Sequence, residues 1–335
     1  MQVLVTGGAG YIGSVMTETL IDHGHDVIVY DNLSTGHRDA VHERAGFVLG
    51  DMLDRETVAH TLRQHRIEAV VHMAGAALVG ESMTDPAKYY EQNVQTGLTL
   101  LRAMHEAQVR NLVFSCTCAI FGEPVKIPME EDDLKSPTNP YGASKLALEQ
   151  TFPWYERAYG LRWVSLRYFN AAGATAARGE RHAQETHLIP LVLQAAAGQR
   201  PAIHIFGDDY PTPDGTCIRD YIHVSDLAAA HVLALEAVER SPGGRVYNLG
   251  CGGAGYSVKQ VIQTAAAVTG RAIPVQVSPR RHGDPAALVA SSERIRRELG
   301  WTPERQNLDE IIRSAWTWIQ THPDLVQPLS GMRHG

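Results

Sequence analysis

Gly7-Gly-Ala-Gly-Tyr-Ile-Gly13 is the stretch from which the fold of this chain can be predicted. The apolar residues 2–6 before it predict a short buried strand, and residues 14–23 after it predict a helix that Gly24 ends. Glycines between a strand and a helix allow a tight turn and let a pyrophosphate approach the helix N-terminus. The stretch therefore predicts a dinucleotide-binding loop.

Asp31 indicates which dinucleotide binds. It follows a second predicted strand, 26–30, and lies 21 residues after Gly10. At that distance a carboxylate can accept hydrogen bonds from the adenosine ribose. Because a negative side chain repels a 2′-phosphate, NAD is the expected cofactor rather than NADP.

Strands and helices alternate through the first half of the chain. Further strands are predicted at 46–50, 68–72, 111–115 and 161–167, and helices at 54–65, 86–107 and from Asn139 onward. This alternation predicts an α/β fold, a Rossmann-type doubly wound parallel sheet, in which ligands bind at the carboxyl ends of the strands. The residues expected at those ends are Asp31, Asp51, Ala74, Thr117 and Phe169.

The pattern is looser after Asn170. Helices are predicted at 225–239, 257–269 and 307–321, and strands at 202–206, 245–248 and 273–277. We expect these elements to form a smaller α/β lobe beside the sheet. The expected division is an NAD-binding domain over 1–169, which includes the helix opened by Asn139, and a mainly substrate-binding lobe over 170–335.

Composition excludes several classes of partner. The net charge of −7 favours neither nucleic acid nor an anionic membrane surface. No apolar run reaches the roughly 20 residues that span a bilayer. The first predicted strand leaves no room for a signal peptide, so we expect a cytoplasmic protein. Neither the four cysteines nor the sixteen histidines show a familiar zinc spacing, so no metal is expected.

Asn139-Pro-Tyr-Gly-Ala-Ser-Lys145 is the stretch expected to carry catalysis. Asn139 can cap a helix that begins at Pro140, which places Tyr141 and Lys145 on one face. A nearby ammonium is expected to lower the pKa of the phenol from about 10, so that Tyr141 can act as a general base. With Thr117 bonding the same substrate oxygen, the site is expected to oxidise an alcohol.

Seven motifs spread over the chain resemble one family. They are Val-Thr-Gly-Gly-Ala-Gly-Tyr-Ile-Gly (5–13), Asp-Asn-Leu (31–33), Val-Gly-Glu-Ser (79–82), Tyr-Gly-Ala-Ser-Lys (141–145), Arg-Tyr-Phe-Asn (167–170), Gly-Asp-Asp-Tyr-Pro-Thr-Pro-Asp-Gly-Thr (207–216) and Arg-Asp-Tyr-Ile-His-Val (219–224). The chain resembles the extended short-chain dehydrogenase/reductase family, in particular its 4-epimerases of UDP-sugars. The resemblance implies interconversion of UDP-galactose and UDP-glucose through a 4-keto intermediate on tightly bound NAD. It also implies a homodimer.

The resemblance completes the set of expected site residues. Those expected at NAD are Gly7, Gly10, Tyr11, Ile12, Gly13, Asp31, Asn32, Leu33, Asp51, Met52, Met73, Ala74, Gly75, Gln92, Tyr141, Lys145 and Phe169. Those expected at the UDP-sugar are Thr117, Asn170, His187, Leu188, Phe206, Arg219, Arg281 and Asp284. Among these, Arg219 and Arg281 are expected to bind the diphosphate and Asp284 a uridine ribose hydroxyl.

Other functions remain open at this stage. A 4-epimerase of UDP-GlcNAc, UDP-GalNAc or UDP-glucuronate shares the same motifs, and a non-catalytic NAD-sensing protein could share the fold. A 4,6-dehydratase is disfavoured, because Cys118-Ala119 follow Thr117 where that reaction needs Asp-Glu. Ala76-Ala77 lacks the lysine and Gln92 replaces the asparagine that the family often carries near NAD, which predicts looser cofactor binding.

Overall fold

The computed structural model describes residues 1–183, 185–281 and 284–325. The expected lobe over 170–335 includes the remaining residues 184, 282, 283 and 326–335, which lie outside the described part. No helix in the described part is long and apolar enough to cross a membrane.

The strands, in chain order, are β1 (Gln2–Thr6), β2 (Asp26–Asp31), β3 (Gly46–Leu49), β4 (Ala69–His72), β5 (Asn111–Thr117), β6 (Arg162–Tyr168), β7 (Asn170–Ala172), β8 (Ile203–Phe206), β9 (Ile218–Arg219), β10 (Tyr221–His223), β11 (Arg245–Leu249), β12 (Tyr256–Ser257), β13 (Val275–Ser278) and β14 (Ala287–Leu288). The α-helices are α1 (Tyr11–Asp22), α2 (Arg55–Gln64), α3 (Val79–Thr84), α4 (Pro86–Tyr89), α5 (Thr96–Glu106), α6 (Pro140–Glu149), α7 (Phe152–Tyr159), α8 (Leu188–Ala196), α9 (Val224–Arg240), α10 (Val258–Thr269), α11 (Glu293–Leu299) and α12 (Leu308–Thr321). A π-helical segment, Tyr90–Gln95, joins α4 to α5.

A seven-stranded sheet in the order β11-β6-β5-β4-β1-β2-β3 forms the centre of the molecule, and all of its neighbouring strands are parallel. The chain builds outward from β1 to β3 and then crosses back to β4 on the other side of β1. Such a reversal opens a crevice at the carboxyl ends of the two central strands. The predicted doubly wound fold is confirmed.

One strand lies in a different sheet from the one expected. The strand predicted at 245–248 was assigned to the smaller lobe, whereas β11 pairs in parallel with β6 and forms the edge of the central sheet. The helix before it, α9, packs against α1, β5 and β6. A short apolar strand has the same sequence pattern in either sheet, so its own residues do not identify its partner.

The rest of the second half forms the smaller lobe. It contains a parallel pair of β8 with β13, a three-stranded sheet in the order β12-β9-β14, and a parallel pair of β7 with β10. These small sheets bring segments together that lie far apart in the sequence.

Candidate functional site

The glycine turn after β1 leaves the first backbone N–H groups of α1 available to an anion. Gly10 caps the helix with backbone alone, without a side-chain hydrogen bond, and the first turn of any helix has no internal partners for its N–H groups. Gly7 has φ +71°, and a Cβ added to Gly13 would lie 2.1 Å from the Gly7 carbonyl oxygen. Side chains are therefore excluded at positions 7 and 13, and the exposed backbone there fits the pyrophosphate of a dinucleotide.

Asp31 is held rigidly at the carboxyl end of β2. Its Oδ2 accepts a hydrogen bond from the Ala9 N–H at 3.0 Å, and its Oδ1 accepts one from the Leu33 N–H at 2.8 Å. Asn32 beside it donates to Asp51 Oδ2 at 3.3 Å. The carboxylate is thus fixed next to the glycine turn with lone pairs left for ribose hydroxyls, which fits NAD.

The three catalytic candidates lie at the end of β5 and on α6. Thr117 is the last residue of β5, and its Oγ1 accepts from the Ala119 N–H at 3.1 Å. Tyr141 and Lys145 lie on successive turns of α6, which begins at Pro140 because Asn139 Oδ1 accepts from the Gly142 N–H at 2.9 Å. Lys145 is 4% exposed and donates from Nζ to the Ser115 carbonyl oxygen at 3.0 Å. A strand end and one helix therefore supply all three groups.

The pKa of Tyr141 is not lowered as the sequence predicts. Burial raises the pKa of the Tyr141 phenol, and a hydrogen bond with Thr117 only partly opposes this. Burial also lowers the pKa of Lys145 to about 8. Burial outweighs any effect of the lysine on the tyrosine, because the phenolate would be poorly solvated.

Asn93 braces this part of the site and was not among the expected residues. Its Oδ1 accepts from the Ala76 N–H at 2.9 Å, and its Nδ2 donates to the Ala76 carbonyl at 3.1 Å and to the Ser144 hydroxyl at 2.9 Å. It thereby ties the loop after β4 to α6. A Cβ on Gly75 would lie 2.6 Å from Asn93 Oδ1 and 3.3 Å from Lys145 Nζ. An asparagine inside a predicted helix was the available signal, and π-helical turns often occur at functional sites.

The remaining NAD candidates lie around the same crevice. Met73 and Ala74 follow β4, and their N–H groups bond to Thr6. Gln92 belongs to the π-helical segment, and Phe169 is buried directly after β6. Met73, Ala74 and Phe169 therefore follow strand ends, as expected, whereas Gln92 lies within a helical segment.

A second group of expected residues meets in the smaller lobe. Arg219 of β9 lies in register with Leu288 of β14, and its guanidinium is 3.8 Å from Asp284. Arg281 donates from Nε to Asp284 Oδ2 at 2.8 Å, and its guanidinium carbon lies 4.9 Å from the centre of the Phe206 ring. Two cations, a carboxylate and an aromatic ring are therefore clustered in one place.

Cys118, which follows Thr117, is close enough to Arg219 for the arginine charge to act on its thiol. Burial raises the pKa of the Cys118 thiol to about 11, while the nearby Arg219 guanidinium acts in the opposite direction. Asn170 on β7 donates from Nδ2 to the carbonyl of Asp220, the residue after Arg219, at 2.8 Å. Arg219 is therefore near the residue that follows Thr117 at the end of β5.

His187 and Leu188 lie at the start of α8, behind a loop that contacts the NAD-binding half. His187 Nδ1 is 2.7 Å from Glu185 Oε1. Burial acts to lower the pKa of His187, but its hydrogen bond with Glu185 outweighs this and raises it. The Tyr11 hydroxyl of the glycine turn donates to the Gly173 carbonyl at 2.6 Å, which joins the start of this loop to the dinucleotide loop.

The doubly wound sheet, the glycine turn with Asp31, and the Tyr141–Lys145 helix define a dehydrogenase-type nucleotide-binding protein. The profile described as "NAD dependent epimerase/dehydratase family" matches residues 3–250, and the chain belongs to this family. The predictions of an NAD-dependent enzyme and of its family are thereby confirmed.

Individual proteins are similar over nearly the whole chain. A UDP-glucose 4-epimerase of Corynebacterium glutamicum is 54% identical over 324 residues, which cover 97% of each chain. The crystal structure of UDP-glucose 4-epimerase from Brucella ovis in complex with NAD is 47% identical with a TM-score of 0.92, covering 94% of this chain and 97% of that one. That of the Bifidobacterium longum enzyme, in complex with NAD+ and UDP, is 36% identical with a TM-score of 0.91, covering 97% and 99%.

Proposed function

We propose that this chain is an NAD-dependent 4-epimerase that interconverts UDP-galactose and UDP-glucose through a 4-keto intermediate. The observation that carries the proposal is the meeting of Thr117, Tyr141 and Lys145 beside the dinucleotide loop, with a separate arginine pair at the other end of the crevice. The similarity to UDP-glucose 4-epimerases over nearly the full length supports the choice of reaction.

Proton transfer is assigned to Tyr141. NAD supplies the hydride acceptor and returns the same hydride, so no external oxidant is consumed. Tyr141 removes the proton of the sugar 4-hydroxyl and later returns it, while Thr117 hydrogen-bonds the same oxygen. Because burial raises the pKa of Tyr141, the resting phenol holds its proton, and the buried Lys145 is the cation whose approach would favour its release.

The arginine pair is assigned to the diphosphate. Guanidinium groups donate several hydrogen bonds in a plane and suit phosphate oxygens. Arg219 is 15% exposed and Arg281 is 59% exposed, so the first is a fixed contact and the second can close from the surface. Strong binding of UDP and weak binding of the sugar allow the 4-keto sugar to turn and present its other face.

The test is turnover of purified protein supplied with NAD and, separately, with UDP-galactose, UDP-GalNAc and UDP-glucuronate, followed by analysis of the products. We expect UDP-glucose from UDP-galactose and little or no reaction of the other two. Absence of turnover with all three would contradict the epimerase and favour an NAD-sensing protein.

Acceptance of N-acetylated sugars, the alternative, is assigned to Leu288, because the resemblance implies that the segment after Asp284 closes over the sugar. This side chain lies on β14, in register with Arg219, and packs against the buried core. A side chain held in a strand and against the core cannot move aside freely, so extra atoms on the sugar would overpack the pocket. The geometry therefore favours the plain hexoses.

We propose that two copies form a homodimer through helices beside the sheet. Large apolar side chains are exposed on the helical segments between residues 79 and 159, namely Val79, Met83, Tyr90, Leu98 and Trp154. Such exposure is typical of surfaces that bind a partner. Light scattering at micromolar concentration should give twice the chain mass, and Leu98→Glu should shift the protein towards monomer. A monomeric wild-type protein would contradict the proposal.

A further inference from the structure

The loop before α8 gathers four potential metal ligands, and of these only His187 is expected to contact the UDP-sugar in the proposed reaction. Glu180, His182, Glu185 and His187 each offer one ligand atom, and these atoms all lie within 4.8 Å of one another. The sequence alternates as Glu-x-His-x-x-Glu-x-His, a spacing that differs from the H-E-x-x-H and C-x-x-C patterns on which the expectation of no metal rests.

One atom of this cluster lacks the partner that buried polar groups normally have. Glu185 has a side chain only 5% exposed, and within the described residues its Oε2 has no hydrogen-bond partner. His182 Nδ1 lies beside it in the cluster, 2.7 Å from Glu180 Oε1. Unsatisfied buried polar atoms are costly and rare, and a cation bound by the cluster would satisfy Glu185 Oε2.

The types of ligand atom indicate which metal would bind. Two imidazole nitrogens and two carboxylate oxygens suit Zn²⁺, which prefers four such ligands in a tetrahedron. With bonds of about 2.0–2.2 Å, neighbouring ligand atoms would be about 3.3 Å apart. The two pairs that are now 2.7 Å apart, His182–Glu180 and His187–Glu185, therefore need to separate only slightly. Mg²⁺ and Ca²⁺ prefer oxygen ligands and a higher coordination number. We propose that Glu180, His182, Glu185 and His187 form a Zn²⁺ site.

The site would stiffen a loop that the structure already ties to the NAD-binding half. Thr175 donates to Glu18 at 3.0 Å, and Arg181 pairs with Asp39. His37 Nε2 lies 3.2 Å from the Arg181 carbonyl oxygen. A metal bound to the same loop adds a cross-link between residues 180 and 187 and raises the unfolding temperature by mass action.

The experiment is a titration of the purified, chelator-treated full chain with ZnCl₂ by calorimetry, with Co²⁺ absorption as a probe of tetrahedral geometry. We expect one Zn²⁺ per chain and visible bands from Co²⁺. His182→Ala and Glu185→Gln should each weaken Zn²⁺ binding by at least about tenfold, as expected when an ordering or ligating group is lost. The matched controls His60→Ala and Glu56→Gln, both exposed on α2, should bind as the wild type does.

Two results would overturn the proposal. Absence of stoichiometric Zn²⁺ binding by the wild-type chain would show that the four groups form ion pairs only. Equal loss of binding in the α2 controls, or none in the loop variants, would place the metal on surface histidines elsewhere. Circular dichroism checks that each variant folds, and Glu180→Gln replaces any variant that does not.

Discussion

The two ends of the crevice are built in different ways. At the catalytic end, Thr117, Tyr141 and Lys145 come from β5 and from α6, the next α-helix in the chain. An N-cap, a backbone carbonyl and the brace by Asn93 hold this end in place. Its polar groups are therefore positioned by the fold itself.

At the anchoring end, the groups come from three separate segments and hold one another. Arg219 and Arg281 both face the carboxylate of Asp284, and Arg281 also lies over Phe206. The Arg281 side chain is 59% exposed, and an ion pair with such an arginine contributes little to stability. A diphosphate can therefore replace Asp284 as the partner of the arginines at small cost, whereas the catalytic end needs no exchange of partners.

The largest expected effect separates chemistry from binding. Tyr141→Phe removes the ionisable oxygen and should lower kcat by at least about 10²-fold, the lower range for general acid–base catalysis. The affinity for UDP, measured by calorimetry, should hardly change, because the anchoring end is untouched. Tyr159→Phe, an exposed tyrosine on α7, is the control. Near-normal turnover of Tyr141→Phe would refute the assignment.

The next effect should appear at the anchoring end alone. Arg219→Met removes charge-assisted hydrogen bonds worth about 1.5–3 kcal/mol each, so the Kd for UDP should rise roughly 10- to 150-fold. Arg281→Met should have a smaller effect because its side chain is more exposed. Arg313→Met, on the surface of α12, serves as the control. The contrast between the two ends fails if Tyr141→Phe and Arg219→Met weaken UDP binding equally.

Leu288→Ala probes the sugar pocket between the ends. Overpacking typically costs about 1–3 kcal/mol, or roughly 5- to 150-fold in rate. Leu288→Ala should remove the overpacking. It should therefore raise the ratio of kcat/KM for UDP-GalNAc to kcat/KM for UDP-galactose by a factor in this range. Steady-state kinetics on both sugars measures the ratio, and an unchanged ratio would show that another residue limits the pocket.

The smallest effect concerns stability at the catalytic end. Burial lowers the pKa of Lys145 from 10.5 to about 8, so below pH 8 the folded protein carries a charge that burial disfavours. Lys145→Met should therefore raise the free energy of unfolding by about 1–3 kcal/mol at pH 7, while activity falls. Because the native lysine loses its proton above pH 8 whereas the unfolded one keeps it to about 10.5, the gain should shrink as the pH rises between these values. Urea unfolding at pH 7 and pH 9.5 tests this, and a gain that grows with pH would contradict it.

Prediction from sequence succeeded where the interactions involved are local. The glycine turn, the Asn139 cap and the placement of Tyr141 and Lys145 on one face each depend on residues within one or two turns of each other. It failed for the partner of β11 and for the pKa of Tyr141, and it missed Asn93. Each of these depends on groups that approach from distant parts of the chain.

The sequence by itself determined the doubly wound fold, the glycine turn after β1 and the family, because periodicity, glycine spacing and caps are properties of neighbouring residues. Only the tertiary structure decided which sheet contains β11, how deeply the Tyr141 phenol is buried, and that Asp284 lies between two arginines. It also decided that the potential ligand atoms of Glu180, His182, Glu185 and His187 lie within 4.8 Å of one another. Burial and electrostatic contact are properties of the packed molecule, and they arise only when segments far apart in the chain exclude water from one another.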